Sequence, residues 1–78
     1  MQVLLAPAAV KDLDRLPTAS REDVVVTLER FASDAYGADV KKLRGFQPPL
    51  YRLRVGNVRI LFRERGEALH VYRINRDF

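Results

Sequence analysis

Arg52, Arg54, Arg59, Arg63 and Arg65 all fall in the short stretch from Tyr51 to Arg65. A guanidinium is planar, permanently charged, and grips phosphate oxygens two at a time. Several of them on one surface suit a polyanion. The remaining bases lean the same way. Residues 1–40 carry four bases against seven acids, and residues 41–78 carry ten against three, so the overall charge of +4 is the sum of an acidic half and a strongly basic one. Such localised potential fits phosphate binding or an acidic protein partner.

The elements that must position these arginines follow from periodicity. Tyr51, Leu53 and Val55 alternate with Arg52 and Arg54, and Val58, Ile60 and Phe62 alternate with Arg59, Leu61 and Arg63, as in two half-buried strands. Gly56-Asn57 between them suits a two-residue hairpin loop. This loop pairs Val55 with Val58, Arg54 with Arg59, Leu53 with Ile60 and Arg52 with Leu61. A second tight turn at Arg65-Gly66 returns Ala68–Ile74 as a third strand, with Tyr72 opposite Arg59 and His70 opposite Leu61. On this register Leu53, Val55, Val58, Ile60, Phe62, Leu69 and Val71 share one face. Arg52, Arg54, Arg59, His70 and Tyr72 share the other, with Leu61 and Ile74. Like charges opposed across an antiparallel pair cost up to about 1 kcal/mol. The Arg54/Arg59 pair is thus a local rule broken, with only Glu64 and Glu67 nearby in sequence, and broken rules tend to mark function.

Upstream, Gln2–Leu5 reads as a short strand and Pro7 as the first residue of a helix running to Leu16, with Val10, Leu13 and Leu16 on one face and Pro17 as its stop. Ser20 is a natural N-cap for a second helix over 21–34. Glu22 and Asp23 then sit in its first turn, and Val24, Val25, Leu28, Phe31 and Ala32 form its apolar stripe. Residues 34–49, with Gly37, Gly45 and Pro48-Pro49, read as a connection. The fold class expected is α+β: an N-terminal strand, two helices and a three-stranded antiparallel meander, in a single domain over 1–78. With 47% hydrophobic residues the chain supports one small core. The absence of cysteine excludes disulfides, thiolate metal sites and a cysteine nucleophile. No apolar run approaches a membrane span of roughly 20 residues, and residues 2–10 do not resemble a signal peptide. A cytoplasmic protein without metal or cofactor is expected.

Leu16-Pro17, Tyr36-Gly37, Val40-Lys41-Lys42-Leu43-Arg44-Gly45, the run from Leu50 to Phe62 and Val71-Tyr72-Arg73-Ile74 together resemble the RelE/ParE toxin superfamily. The segment from Lys41 to Phe62 is the specific part. The resemblance implies a toxin of a bacterial type II toxin-antitoxin pair, bound by a cognate antitoxin in a hetero-oligomer. For RelE-like members it implies cleavage of mRNA in the ribosomal A site. Position by position, it places Arg52 and Arg54 on the family's two basic sites in one strand and Arg59 on the arginine of the next. Arg76 is the candidate for the C-terminal arginine. The family's C-terminal tyrosine has no counterpart among the 78 residues.

RNA cleavage through its own 2′-hydroxyl requires a base for that oxygen, donors for the extra phosphoryl charge, and an acid for the leaving 5′-oxygen. Arg52, Arg54 and Arg59 suit the second task. They do not suit the first, because arginine keeps its proton to above about pH 12. His70 and Tyr72 are the remaining proton-transfer or substrate-binding candidates. A strand histidine is more often simply packed, and a tyrosine can stack on a base or merely cover the sheet. Lys41, Lys42 and Arg44 could grip further phosphates or be solvated around a buried Leu43. Three activities stay open: a ribosome-dependent mRNA endonuclease, a ParE-like inhibitor of DNA gyrase without nuclease chemistry, and an inactive relative that only receives an antitoxin.

Overall fold

The computed structural model describes residues 1–34 and 37–76. Five strands and two helices follow in the order β1 (Gln2–Leu5), α1 (Pro7–Asp14), α2 (Thr18–Asp34), β2 (Asp39–Leu43), β3 (Leu50–Val55), β4 (Val58–Arg65) and β5 (Ala68–Arg76). The strands form one sheet in the order β1-β5-β4-β3-β2. β1 runs parallel to β5 and every other pairing is antiparallel. The class is α+β, as the alternation patterns predict. The meander is longer than expected, because Asp39–Leu43 is a strand rather than connection. Its Asp-Val-Lys-Lys-Leu sequence lacks an apolar alternation, and it becomes a strand only by pairing with the edge of β3. Tyr36 of the quoted Tyr36-Gly37 pair lies outside the described residues.

Ala9, Leu16, Val24 and Leu28 of the helical segment pack with Leu53, Val58, Ile60, Phe62, Leu69, Val71 and Ile74 of the sheet in one buried cluster. The ring of Phe62 sits at its centre, edge-on to Phe31 and stacked on Tyr51, each with centroids 5.6 Å apart. Both helices thus cover one sheet face and leave the other for the arginines.

Local details differ from the sequence reading in instructive ways. Pro7 opens α1 as expected, but the helix ends at Asp14, short of Leu16; its buried residues are Ala9 and Asp12, Leu16 is buried just beyond it, and Val10 lies exposed. α2 begins at Thr18, two residues before Ser20. The carbonyl of Pro17 accepts the first helical hydrogen bond from the Arg21 N–H at 2.9 Å. Ser20 is therefore inside the helix, and Glu22 and Asp23 fall beyond its first turn. Val24, Leu28, Phe31 and Ala32 turn inward as expected, and Val25 stays exposed.

The β3–β4 hairpin has the expected register from Val55/Val58 to Arg52/Leu61, with Gly56 at φ 59° where a two-residue loop needs a left-handed residue. The β4–β5 hairpin differs. Its loop residues are Gly66 and Glu67, since Arg65 pairs with Ala68 and Gly66 takes the positive φ. A bulge follows: Phe62 pairs with Val71 but Leu61 with Arg73, leaving Tyr72 as the extra residue. His70 accordingly faces Arg63, and Asn75 rather than Tyr72 lies opposite Arg59. A shift of two residues keeps each side chain on its face, but a one-residue bulge exchanges the faces beyond it. Ile74, expected on the arginine face, is therefore buried against Ile60 in the core.

Candidate functional site

The registers arrange the outer sheet face into cross-strand rows. One row reads Asp39, Arg54, Arg59 and Asn75 from β2 to β5, and the next reads Lys41, Arg52, Leu61 and Arg73. Adjacent strands lie about 4.8 Å apart, so Arg54 and Arg59 are immediate neighbours with Arg52 one row away. The sheet thus brings Arg52, Arg54, Arg59 and Lys41 together. It does not bring Lys42 there, since Lys42 pairs with Tyr51 in a row whose other side chains face the helices. Arg44 follows the end of β2 and is exposed. His70 lies beyond Arg52's row, opposite Arg63, so it stands two rows or about 14 Å from Arg59. Tyr72 holds the bulge, with the Arg63 guanidinium 5.4 Å from its ring centroid. Arg63 is further held by its Nε donating to the Pro48 carbonyl oxygen at 3.1 Å. Arg76 pairs with Val58 at the end of β5.

The acid that the sequence reading did not find comes from β2. Asp39 Oδ1 accepts from Arg52 Nη2 at 3.0 Å, and its backbone lies opposite Arg54. Asp39 is mostly exposed, and the Arg52 side chain is only 12% accessible. The arginine is therefore the fixed member of the pair and the carboxylate the replaceable one. The Nε atoms of Arg52 and Arg59 are both buried without a hydrogen-bond acceptor. An unmet buried donor of this kind costs about 1–3 kcal/mol, so the arginine face carries a local cost to stability.

A second constellation holds the end of β5. β1 pairs with β5 only as far as Val71, and beyond it Asp12 of α1 takes over. Its Oδ2 accepts from Arg73 Nε at 2.8 Å and from the Ile74 backbone N–H at 3.0 Å, and its Oδ1 accepts from Arg73 Nη2 at 3.1 Å. The Arg73 hydrogen bonds hold the Asp12 carboxyl below the ordinary carboxylate range, aided by the Ile74 N–H and by the positive charge of Arg73 and Arg15, with desolvation opposing them. Asp12 and Arg73 escaped the sequence reading for separate reasons. Asp12 sits among the buried residues of α1, where alternation arguments expect an apolar residue. The bulge placed Arg73 one step off the predicted face.

What the face can do chemically follows from its parts. It offers several fixed cations, two unmet donors and, among the described residues, no group of acids able to hold a metal. Such a set of groups is chemically suited to anions, phosphate oxygens among them. Among the described residues no helix is long and apolar enough to cross a membrane.

No protein-family model matches the chain. It is 32% identical over 78 residues to Toxin RelE3 of Methanocaldococcus jannaschii, an alignment covering 95% of this chain and 88% of that protein. Its fold superposes on a chain of the RelB-RelE antitoxin-toxin complex from Methanococcus jannaschii with a TM-score of 0.80 at 30% identity, covering 94% of this chain and 88% of that one. The isolated E. coli RelE toxin gives a TM-score of 0.81 over 99% of this chain and 84% of that chain, a likeness of fold at 17% identity. With its sequence and its fold in agreement with these proteins, the chain belongs to the RelE-like toxins of the RelE/ParE superfamily.

Proposed function

We propose that the protein is the toxin of a type II toxin-antitoxin pair and cleaves mRNA in the ribosomal A site, in the cytoplasm, until a cognate antitoxin covers its arginine face. The observation that carries the nuclease reading is the grouping of Arg52, Arg54 and Arg59 in adjacent rows of the face left bare by the helices. The partner reading rests on the structural neighbours, several of which were solved as RelB-RelE complexes.

In the reaction, the 2′-oxygen of a nucleotide attacks the adjacent phosphorus as the bond to the 5′-oxygen breaks. The 2′-hydroxyl gives up its proton and the 5′-oxygen gains one. Arg52, Arg54 and Arg59 bind the phosphoryl oxygens and hold the charge added in the transition state. Because arginine is a poor base, the work assigned to this face is charge stabilisation together with in-line positioning of the 2′-oxygen. Of the proton-transfer candidates Tyr72 is nearer, in the bulge beside the row of Arg52, and His70 is further off, opposite Arg63.

Primer extension on mRNA in a purified translation system, with and without ribosomes, tests this. The expected result is A-site cuts that require ribosomes and disappear in the Arg52→Ala/Arg54→Ala variant, whose circular dichroism stays that of wild type. Intact mRNA with wild-type protein overturns the nuclease reading, and a gyrase supercoiling assay then tests the ParE-like activity. Cutting by the double variant at the wild-type rate removes the arginine face from the mechanism.

A further inference from the structure

At the β5 edge the arginine face opens into a depression of about 510 Å³ whose lining includes Asp12, Arg15, Arg59, Arg73, Asn75 and Arg76. That volume lies within the range of small-ligand sites, roughly 300–1,000 Å³. Among the described residues the lining carries four arginines and one acid. The acid is already engaged, because both Asp12 oxygens accept hydrogen bonds from Arg73 and Ile74. Among the described residues, no acid stands within salt-bridge distance of Arg15, Arg59 or Arg76. The depression thus concentrates positive charge at a concave site.

Arg15 is the residue that the fold explains least. It is the exposed C-cap of α1, where a cation gains a few tenths of a kcal/mol from the helix dipole, a task that any base performs. Here it shares a concavity with Arg59, which belongs to the arginine face. Arg54, Arg59 and Asn75 lie on three adjacent strands in one row, so Arg54 and Asn75 are about 10 Å apart. A nucleic-acid strand lying over Arg54 and Arg59 reaches the depression without leaving the sheet.

We propose that this depression is a second phosphate subsite, in which Arg15 and Arg76, beside the Asp12-held Arg73, receive the backbone phosphate of a nucleotide flanking the one held by Arg52, Arg54 and Arg59. The inference rests on the RNA-binding reading given above and extends it to α1. Among the described residues the lining offers no aromatic ring on which a base could stack, so these residues read backbone and not sequence. The Asn75 amide supplies both a donor and an acceptor for a ribose hydroxyl.

The test uses fluorescent 2′-O-methyl RNA oligonucleotides, which cannot be cleaved through the blocked 2′-oxygen, and measures anisotropy against salt concentration. Wild type, Arg15→Gln, Arg15→Lys and Arg52→Gln are compared. For a single-stranded ligand each lost phosphate contact lowers the log-log salt slope by about 0.7 and weakens binding by roughly threefold. Arg15→Gln is expected to show that loss, and Arg15→Lys to recover most of it. Trimming the oligonucleotide by one nucleotide at one end should erase the difference between Arg15→Gln and wild type while leaving the Arg52→Gln defect in place. If Arg15→Gln binds as wild type while Arg52→Gln is weakened, the subsite is wrong and the arginine face stands. If wild type fails to bind the oligonucleotide even at low salt, the subsite falls, and the cleavage assay with ribosomes decides the nuclease reading separately.

Discussion

Replacing Asp12 strikes the one buried acid of the described core, and the consequence can be worked from its contacts. In Asp12→Ala the Ile74 N–H loses its acceptor in a buried position, at a cost of about 1–3 kcal/mol. Arg73 is half exposed, so water re-solvates its guanidinium and the lost ion pair adds little. The expected destabilisation is about 2 kcal/mol, which for a domain of this size lowers Tm by roughly 8–16 °C. Asp12→Asn keeps an amide oxygen for the Ile74 N–H and should lose about half as much.

The pH dependence has a definite sign. The folded pKa of Asp12 is depressed, first of all by its hydrogen bonds from Arg73. Its contribution is therefore fully present above the unfolded value, near pH 4, and is lost as pH falls through the folded value. Urea unfolding followed by circular dichroism at neutral pH and near pH 3 measures both effects. The gap between wild type and Asp12→Asn should be constant from about pH 5 upward and narrow below pH 4. A gap of less than about 0.5 kcal/mol between wild type and Asp12→Ala at neutral pH, or an Asp12→Asn gap unchanged in acid, refutes the assignment of Asp12 as the lock on β5.

Leu53 is fully buried in the core on β3, which packs against α2, and Leu53→Ala should cost about 2–5 kcal/mol in urea unfolding. Gly56 has φ 59° and open space where a Cβ would sit, so Gly56→Ala should cost about 1–2 kcal/mol for the left-handed backbone alone. A neutral result there would mean that the hairpin loop relaxes. Asp39→Asn frees Arg52 of its exposed partner. Stability should change by less than about 1 kcal/mol, with a few-fold tighter binding to a 2′-O-methyl oligonucleotide, and unchanged or weaker binding would show that Asp39 does not compete with the ligand.

The β3–β4 hairpin was legible down to its register because alternation and a Gly-Asn loop act over neighbouring residues, and with it came the Arg52/Arg54/Arg59 grouping. β2 was not legible, since Asp39–Leu43 carries no alternation and becomes a strand by borrowing hydrogen bonds from β3. Its arrival brought both Asp39, the missing acid, and Lys41 to the arginine rows. Lys41 and Lys42 look equivalent in the sequence, and only that pairing puts Lys41 beside Arg52 and turns Lys42 to the other face.

Local sequence thus determined the α+β class, the hairpin and the density of cations along it. The bulge at Tyr72, the burial of Ile74 and the lock of Asp12 on Arg73 were decided only in three dimensions. The physical reason is that alternation reports a strand's two faces only while its register is unbroken. The extra residue at Tyr72 is accommodated where Ile74 gains a core site and Asp12, sixty-two residues away, meets the backbone N–H that β1 does not reach.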